Sequence, residues 1–405
     1  MLRGSSLRSQ GAAKIRNETP LRIAGEPYHF PELDGIRGLA ILGVLIAHGV
    51  MVLGVMPHNR MGRGLATILV PGWGGVDLFF TLSGFLITGI LLRARSRHHY
   101  FSSFYMRRIL RIFPIYYLYL GACTIAAHFW AIVAAWLPVG FSGRFPFFIY
   151  LQNWPIFWPN WEAMPSIWGV FWSLAVEEQF YMIWPAVVRF IKLRALLIVC
   201  IVGFLLGWPE RALMIHEVGF KFGIMQWPFS RLDGLFLGAA IAIYREIYGR
   251  VIPLRWATIS FLVGAGFFVG LAIADRGQLA SGNGRTLYEV AVTAFALMSG
   301  GLIVASQHRI EWLHRVLTAR PLVHAGRLSY GMYVYHLMVY ELITLARWRL
   351  GIGEAGPHSS LVRAIVYIAM SVLLVAGVAE LSFRFIETPF LRLKRFFPSP
   401  AALVS

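Results

Sequence analysis

The chain has 405 residues, of which 58% are hydrophobic, 15% aromatic and 14% charged. A soluble domain of this size needs more charge on its surface, so the composition excludes a soluble protein and indicates a polytopic membrane one. The net charge of +18 does not indicate nucleic acid, because Lys and Arg sit in alternate loops and not in one basic patch with interleaved aromatics.

The first apolar stretch follows about 30 polar, basic residues, too long a lead for a secretory signal peptide, and no small-residue cleavage site is evident. Apolar runs of roughly spanning length then recur to the end. They predict an all-α bundle of about ten transmembrane helices: 34–56, 75–93, 112–136, 168–190, 195–208, 230–248, 255–274, 286–305, 327–346 and 362–384. The fifth is short, and 209–225 is a candidate continuation. The stretch 137–167, with Trp154, Trp158, Trp161, Pro155, Pro159 and Pro165, reads as an interfacial or re-entrant segment on the outer side. Cys123 and Cys200 fall inside apolar segments and predict neither a disulfide framework nor a metal site.

Arg and Lys set the expected orientation. The tail before residue 33, the connection holding Arg93, Arg95, Arg97, Arg107, Arg108 and Arg111, and every second loop after it are basic. An even number of spans with both termini cytoplasmic satisfies this alternation. The organisation expected is a basic tail (1–30), one membrane domain (31–395) and a short tail (396–405), with no internal repeat.

Ionisable residues inside spans carry the functional reading, since they are costly there. Arg37 and His48 are eleven residues apart, close to three helical turns, so they share a face about 16 Å apart along the axis. Asp34 can pair with Arg37 at i,i+3. His48 has the ordinary affinity of an imidazole for a proton near neutral pH, which suits a general base or an acyl acceptor; a structural histidine bonded to a neighbouring helix is the alternative. Arg107, Arg108 and Arg111 are expected at a helix start, where guanidinium forks and helix amides both favour phosphate; a stop-transfer cluster is the alternative. In Gly75–Phe85, Gly84 would allow close helix approach, and Ser83 is expected to bond a backbone carbonyl. Glu177 and Glu178 point about 100° apart, so one is expected to pair with an arginine, Arg37 or Arg231, while the other faces the cavity and could hold His48. Arg231 with Asp233, Tyr330 and Tyr333 with His336, and Glu380 with Arg384 read as bundle glue. No metal-ligand spacing, Walker loop or GxSxG is present.

Taken in order, several of these pieces resemble the acyltransferase family 3 membrane proteins. They are Leu33-Asp34-Gly35-Ile36-Arg37-Gly38 with His48; Gly75 to Phe85; Arg107-Arg108-Ile109-Leu110-Arg111; Trp172-Ser173 with Glu177 to Tyr181; Arg231-Leu232-Asp233; Leu328 to Tyr333 with His336; and Glu387-Thr388-Pro389. The resemblance covers about residues 30–395. It implies a multi-pass protein of the bacterial inner membrane that moves an acyl group, usually acetyl, from cytoplasmic acyl-CoA to a hydroxyl of an extracytoplasmic carbohydrate or glycolipid, in some members a macrolide. It implies catalytic roles for Arg37 and His48, assisted by Glu177 or Glu178, and donor binding by Arg107, Arg108 and Arg111, with no metal. Many members append an extracytoplasmic hydrolase-like domain that finishes the transfer. This chain ends at 405 without one, so a stand-alone form, or one that needs a separate extracytoplasmic transferase as partner, is expected, besides contact with membrane lipid. A transporter is the rival class, since intramembrane Arg, His and Glu also build substrate paths.

Overall fold

The structure is a computed structural model that describes residues 30–53, 56, 59–138, 140–157, 167–219, 222–274, 285–352 and 360–397. Ten helices of 17 residues or more, and no strand, occur among the described residues. They are α1 (Pro31–Val52), α2 (Gly75–Ala94), α3 (Tyr100–Phe129), α4 (Trp172–Phe190), α5 (Leu193–Val218), α6 (Leu232–Tyr248), α7 (Leu254–Ala274), α8 (Arg285–Ser306), α9 (Arg320–Arg349) and α10 (Leu361–Ser382). Each overlaps one of the ten predicted segments.

Local chemistry fixes several ends. Pro31 opens α1 in the position where its missing N–H costs nothing, and Glu32 and Asp34 face the positive end of the helix dipole. Ser360 caps α10 by accepting from the Arg363 amide. Gly249, at φ +62°, ends α6 in the left-handed conformation that glycine adopts without strain.

Among the described residues, seven stretches are long and apolar enough to cross a membrane: 31–52, 60–94, 100–129, 193–218, 254–273, 289–306 and 361–396. The long helices α4, α6 and α9 fall short because they carry more charge or are brief. Neighbouring helices cover those charges. Ser83 donates to Glu177 of α4, Arg211 pairs with Asp233 of α6, and Arg347 of α9 donates to the Leu53 carbonyl. A helix whose polar groups are met inside the bundle need not be apolar all round.

Two boundaries differ from expectation. The third helix runs over 100–129, not 112–136, so Arg107, Arg108 and Arg111 lie beyond its first turn and the terminal amides are not beside them. The fifth does not stop at 208; it takes the candidate continuation through Pro209, as far as Val218. The stretch 137–167 contains a short helix, Gly140–Phe148, and a turn from which Trp154 packs against Trp227. Trp158, Trp161, Pro159 and Pro165 lie outside the described residues.

Backbone contact, not only side-chain packing, binds the bundle. A Cβ on Gly84 would sit 2.0 Å from the Leu235 carbonyl oxygen, and one on Gly238 would sit 1.9 Å from that of Thr81, so α2 and α6 touch along a seam that glycine alone allows. The same holds between α1 and α9, where a Cβ on Gly326 would meet the Asp34 carbonyl oxygen at 1.8 Å. Tyr340 fastens α9 to α1 higher up, donating to the Leu45 carbonyl at 2.8 Å.

Candidate active site

A cavity of about 800 Å³, counting its open mouth, lies between α1, α2, α3, α4 and α9. Its polar lining is concentrated in Arg37, Ser83, Arg108, Arg111, Glu177 and Tyr181, set against apolar side chains of α2. Each helix contributes through its local geometry. Arg37 is held by Asp34 one turn earlier, Nη1 to Oδ1 at 2.8 Å, as the i,i+3 spacing predicted. Arg108 lies over the Tyr181 ring at 4.3 Å, within cation–π range. Arg111 acts electrostatically on Arg37 and Arg108, so the three cations share one region. Three guanidiniums converging on a mixed polar and apolar pocket suit an anion that carries an apolar or flexible arm.

Ser83 Oγ donates to Glu177 Oε1 at 2.5 Å. This corrects the expectation of a serine bonded to a backbone carbonyl, and it shows which carboxylate faces the cavity. Glu177 belongs to the pocket. Glu178 does not: its charged neighbours are Arg108 and Glu177, and its Oε1 has no hydrogen-bond partner among the described residues. Neither carboxylate bonds His48 in the described residues, contrary to the expected triad-like arrangement.

His48 lies off the cavity lining. Its Nδ1 is 3.0 Å from the Val44 carbonyl oxygen. A carbonyl only accepts, so Nδ1 carries the hydrogen and Nε2 is left as the basic nitrogen. The cavity lining also includes Ser173 and Tyr333, whose hydroxyls lie 2.6 Å apart. Tyr333 precedes His336 by one turn, and the His336 ring packs on His48 at 5.0 Å between centroids. Sequence reasoning assigned these groups to bundle glue. A polar residue every three positions along an apolar helix, in Tyr330, Tyr333 and His336, was the available signal for a lined path.

Arg107 also departs from expectation. Its Nη1 donates to the carbonyls of Lys394 and Phe397, at 3.2 and 2.9 Å, and it does not line the cavity. It fastens the C-terminal segment to α3. Arg231 pairs with Asp77 at 3.0 Å and not with Asp233, which belongs to Arg211. Glu380 does accept from Arg384, at 2.5 Å. Both cysteines are buried and free.

Residues 30–380 of this helical bundle, with its arginine-lined cavity, match the family described as an acyltransferase domain. The chain belongs to the acyltransferase 3 family, whose members are multi-pass membrane proteins. Among individual proteins it is similar to the peptidoglycan O-acetyltransferase OatA of Listeria monocytogenes, with 28% identity over 391 residues, covering 89% of this chain and 56% of OatA. The putative peptidoglycan O-acetyltransferase YrhL of Bacillus subtilis is 28% identical over 382 residues, covering 89% and 55%. A putative O-acetyltransferase of Staphylococcus aureus is 24% identical over 401 residues, covering 89% and 57%. The chain thus spans a little over half the length of the curated relatives it matches. No solved structure matches it.

Proposed function

We propose that the protein is a membrane O-acyltransferase that takes an acyl group, acetyl in the first instance, from an acyl-CoA donor and delivers it to a hydroxyl of a cell-surface glycan. The observation that carries this reading is the cavity in which Arg37, Arg108 and Arg111 converge, with the ring of its lining residue Tyr333 packed on His336 and that of His336 on His48. Three cations at one place match the phosphates of a CoA-type donor. The apolar side chains of α2 suit the pantetheine arm and acyl chain, and the path past Tyr333 leads the thioester toward His48. Peptidoglycan, named for the Listeria and Bacillus relatives, is the first acceptor to test.

In this reading His48 Nε2 removes the proton of the acceptor hydroxyl. The oxygen forms its bond to the thioester carbonyl carbon, the carbon–sulfur bond breaks, and the proton passes from His48 to the leaving thiolate. Arg37 steadies the donor phosphates. Glu177, held by Ser83, balances the local positive charge and keeps the guanidiniums oriented. The arginine end of the bundle faces the cytoplasm, where the donor is made, and the acceptor enters from the other side. A separate extracytoplasmic transferase that completes delivery to polymeric glycan belongs to the same reading.

The test is ester-linked acetate on the surface glycans of a deletion strain. The strain is complemented with wild type, His48→Ala or Arg37→Ala at matched membrane levels. Loss on deletion, with restoration by wild type alone, is the expected result. Unchanged acetate on deletion, or full rescue by His48→Ala, would overturn it.

A further inference from the structure

The cavity is cationic at one end and carries a pair of hydroxyls at the other. On α4 the lining residues Tyr181, Glu177 and Ser173 follow one another at four-residue steps, so they share a face that runs about 12 Å from the Tyr181 ring under Arg108 to Ser173. On α9 Tyr333 lies two turns, roughly 10 Å, beyond Gly326, which rests against Asp34 one turn from Arg37. The apolar side chains of Val76, Phe80 and Leu174 line the same end. Ser173 and Tyr333 are both buried, and their oxygens lie 2.6 Å apart. Each hydroxyl has one hydrogen to give. Tyr333 lies 2.8 Å from the Val170 carbonyl oxygen and Ser173 lies 3.2 Å from it, so Tyr333 is its better donor. The hydrogen between the two hydroxyls is then that of Ser173. The Val170 oxygen also accepts from the Trp172 amide, in the turn that leads into α4. It does not depend on Tyr333, so the phenolic O–H can turn to a ligand oxygen and leave no backbone group unpaired.

We propose that Tyr333 is a catalytic hydrogen-bond donor to the carbonyl oxygen of the donor thioester, with Ser173 as its positioning residue. The inference rests on the reading that the cavity takes an acyl thioester with its phosphates at the arginines. The arm then follows the α4 face to the hydroxyl end. As the acceptor oxygen bonds to the carbonyl carbon, the carbon–oxygen π pair moves onto the carbonyl oxygen. The Tyr333 O–H meets that negative charge among apolar side chains, where an oriented donor stabilises it most. Tyr333 keeps its proton throughout. When the pair returns and the carbonyl re-forms, the carbon–sulfur bond breaks, and the thiolate takes up the proton that the acceptor hydroxyl lost. Ser173, donating to Tyr333 Oη, fixes the phenol and polarises its O–H.

The experiment uses the full chain in inverted membrane vesicles fed labelled acetyl-CoA, with label counted in glycan. Rates are taken per amount of folded protein, measured by fluorescence-detected size exclusion. Wild type is compared with Tyr333→Phe, which keeps the ring and loses the donor, with Ser173→Ala, and with the double variant. The expected result for Tyr333→Phe is a fall in kcat of about 100-fold or more, the worth of one oxyanion donor, with KM for acetyl-CoA within about threefold of wild type. Ser173→Ala should lower kcat about fivefold, the worth of one neutral hydrogen bond, again at unchanged KM. The double variant should be no slower than Tyr333→Phe, because Ser173 acts only through that hydroxyl. If wild type transfers label while Tyr333→Phe keeps kcat within twofold, or loses only KM, the donor role is wrong and the acyltransferase reading stands. A double variant slower than Tyr333→Phe by the full Ser173→Ala factor overturns the part given to Ser173. Should Tyr333→Phe yield no folded protein, Ser173→Ala decides: an unchanged kcat overturns the proposal, and the fivefold fall at unchanged KM supports it. If wild type transfers no label from acetyl-CoA, the underlying reading fails and the proposal fails with it.

Discussion

Replacing Asp233 with alanine tests the interior ion pairing on which the architecture depends. Arg211 and Asp233 are both fully buried, and their bond is bidentate, at 2.7 and 2.9 Å. Arg211 uses its remaining donors on the carbonyls of Ser230 and Glu289 and on the Thr293 hydroxyl, so all its N–H groups are met. Thr293 in turn donates to Asp233 at 2.6 Å. Asp233→Ala removes the carboxylate from three of these bonds and strands a guanidinium away from water. Breaking a buried pair in this way costs about 3–5 kcal/mol. With an unfolding entropy of roughly 2.1 cal/mol/K per residue over 405 residues, that loss lowers Tm by about 4–6 °C. Cys123 and Cys200 are both buried, so a thiol-reactive dye in detergent reports the melt directly. Adding Arg211→Met to Asp233→Ala should return most of the stability, because an apolar pair of similar volume is close to neutral in such a site. Adding Arg231→Met should lower Tm further, since it strips Asp77 of its partner. Recovery with Arg231→Met and none with Arg211→Met would refute the pairing and restore the one expected from sequence.

With acetyl-CoA as the proposed donor, Arg108→Ala and Arg111→Ala should each raise its KM at least about tenfold, the worth of one charge-assisted contact, whereas Arg107→Ala should leave KM unchanged and increase proteolysis of the C-terminal segment it holds. Equal KM values for all three variants in the vesicle assay would contradict the cavity assignment. Gly84→Leu should abolish membrane accumulation, since even a Cβ there meets a carbonyl oxygen at 2.0 Å; accumulation on an immunoblot at wild-type level would count against the seam. Ser83→Ala should reduce acetate transfer several-fold while keeping some activity, because it removes the hydrogen bond to Glu177 but no reacting group; complete loss at matched protein would instead make Ser83 a nucleophile.

The helices themselves were legible because a span needs a long apolar run, and such runs stand out even where α4 and α9 carry charges. Partnerships across the bundle were not. Asp34 with Arg37 and Glu380 with Arg384 were found because they lie one turn apart on a single helix. Asp233 was given to Arg231, its neighbour in sequence, when its partner is Arg211, 22 residues away. Arg211 went unnoticed because it falls in 209–225, which was only a candidate continuation of the fifth span; the helix does run through Pro209, which a membrane helix tolerates where neighbours meet the freed carbonyl. A charged Glu210-Arg211 pair inside an apolar run was the missed signal. At the candidate site, Arg37, His48, Arg108, Arg111 and Glu177 were named from sequence, and the structure gathers all but His48 around one cavity. The pairing of His48 with His336, 288 positions on, depends on how α1 crosses α9, and no local spacing encodes that crossing.

The glycine seams have a mechanical meaning. Where backbone rests on backbone, two helices slide or tilt only together, because no side chain stands between them to absorb displacement. The α1–α9 and α2–α6 pairs are therefore two stiff struts, and the cavity opens in the gap between them. Arg37 and His336 ride on one strut and Ser83 on the other. Gly75 of α2 also rests on α1, since a Cβ there would lie 2.3 Å from the Ala40 carbonyl oxygen, so the two struts are clamped to each other and the chamber between them holds its size.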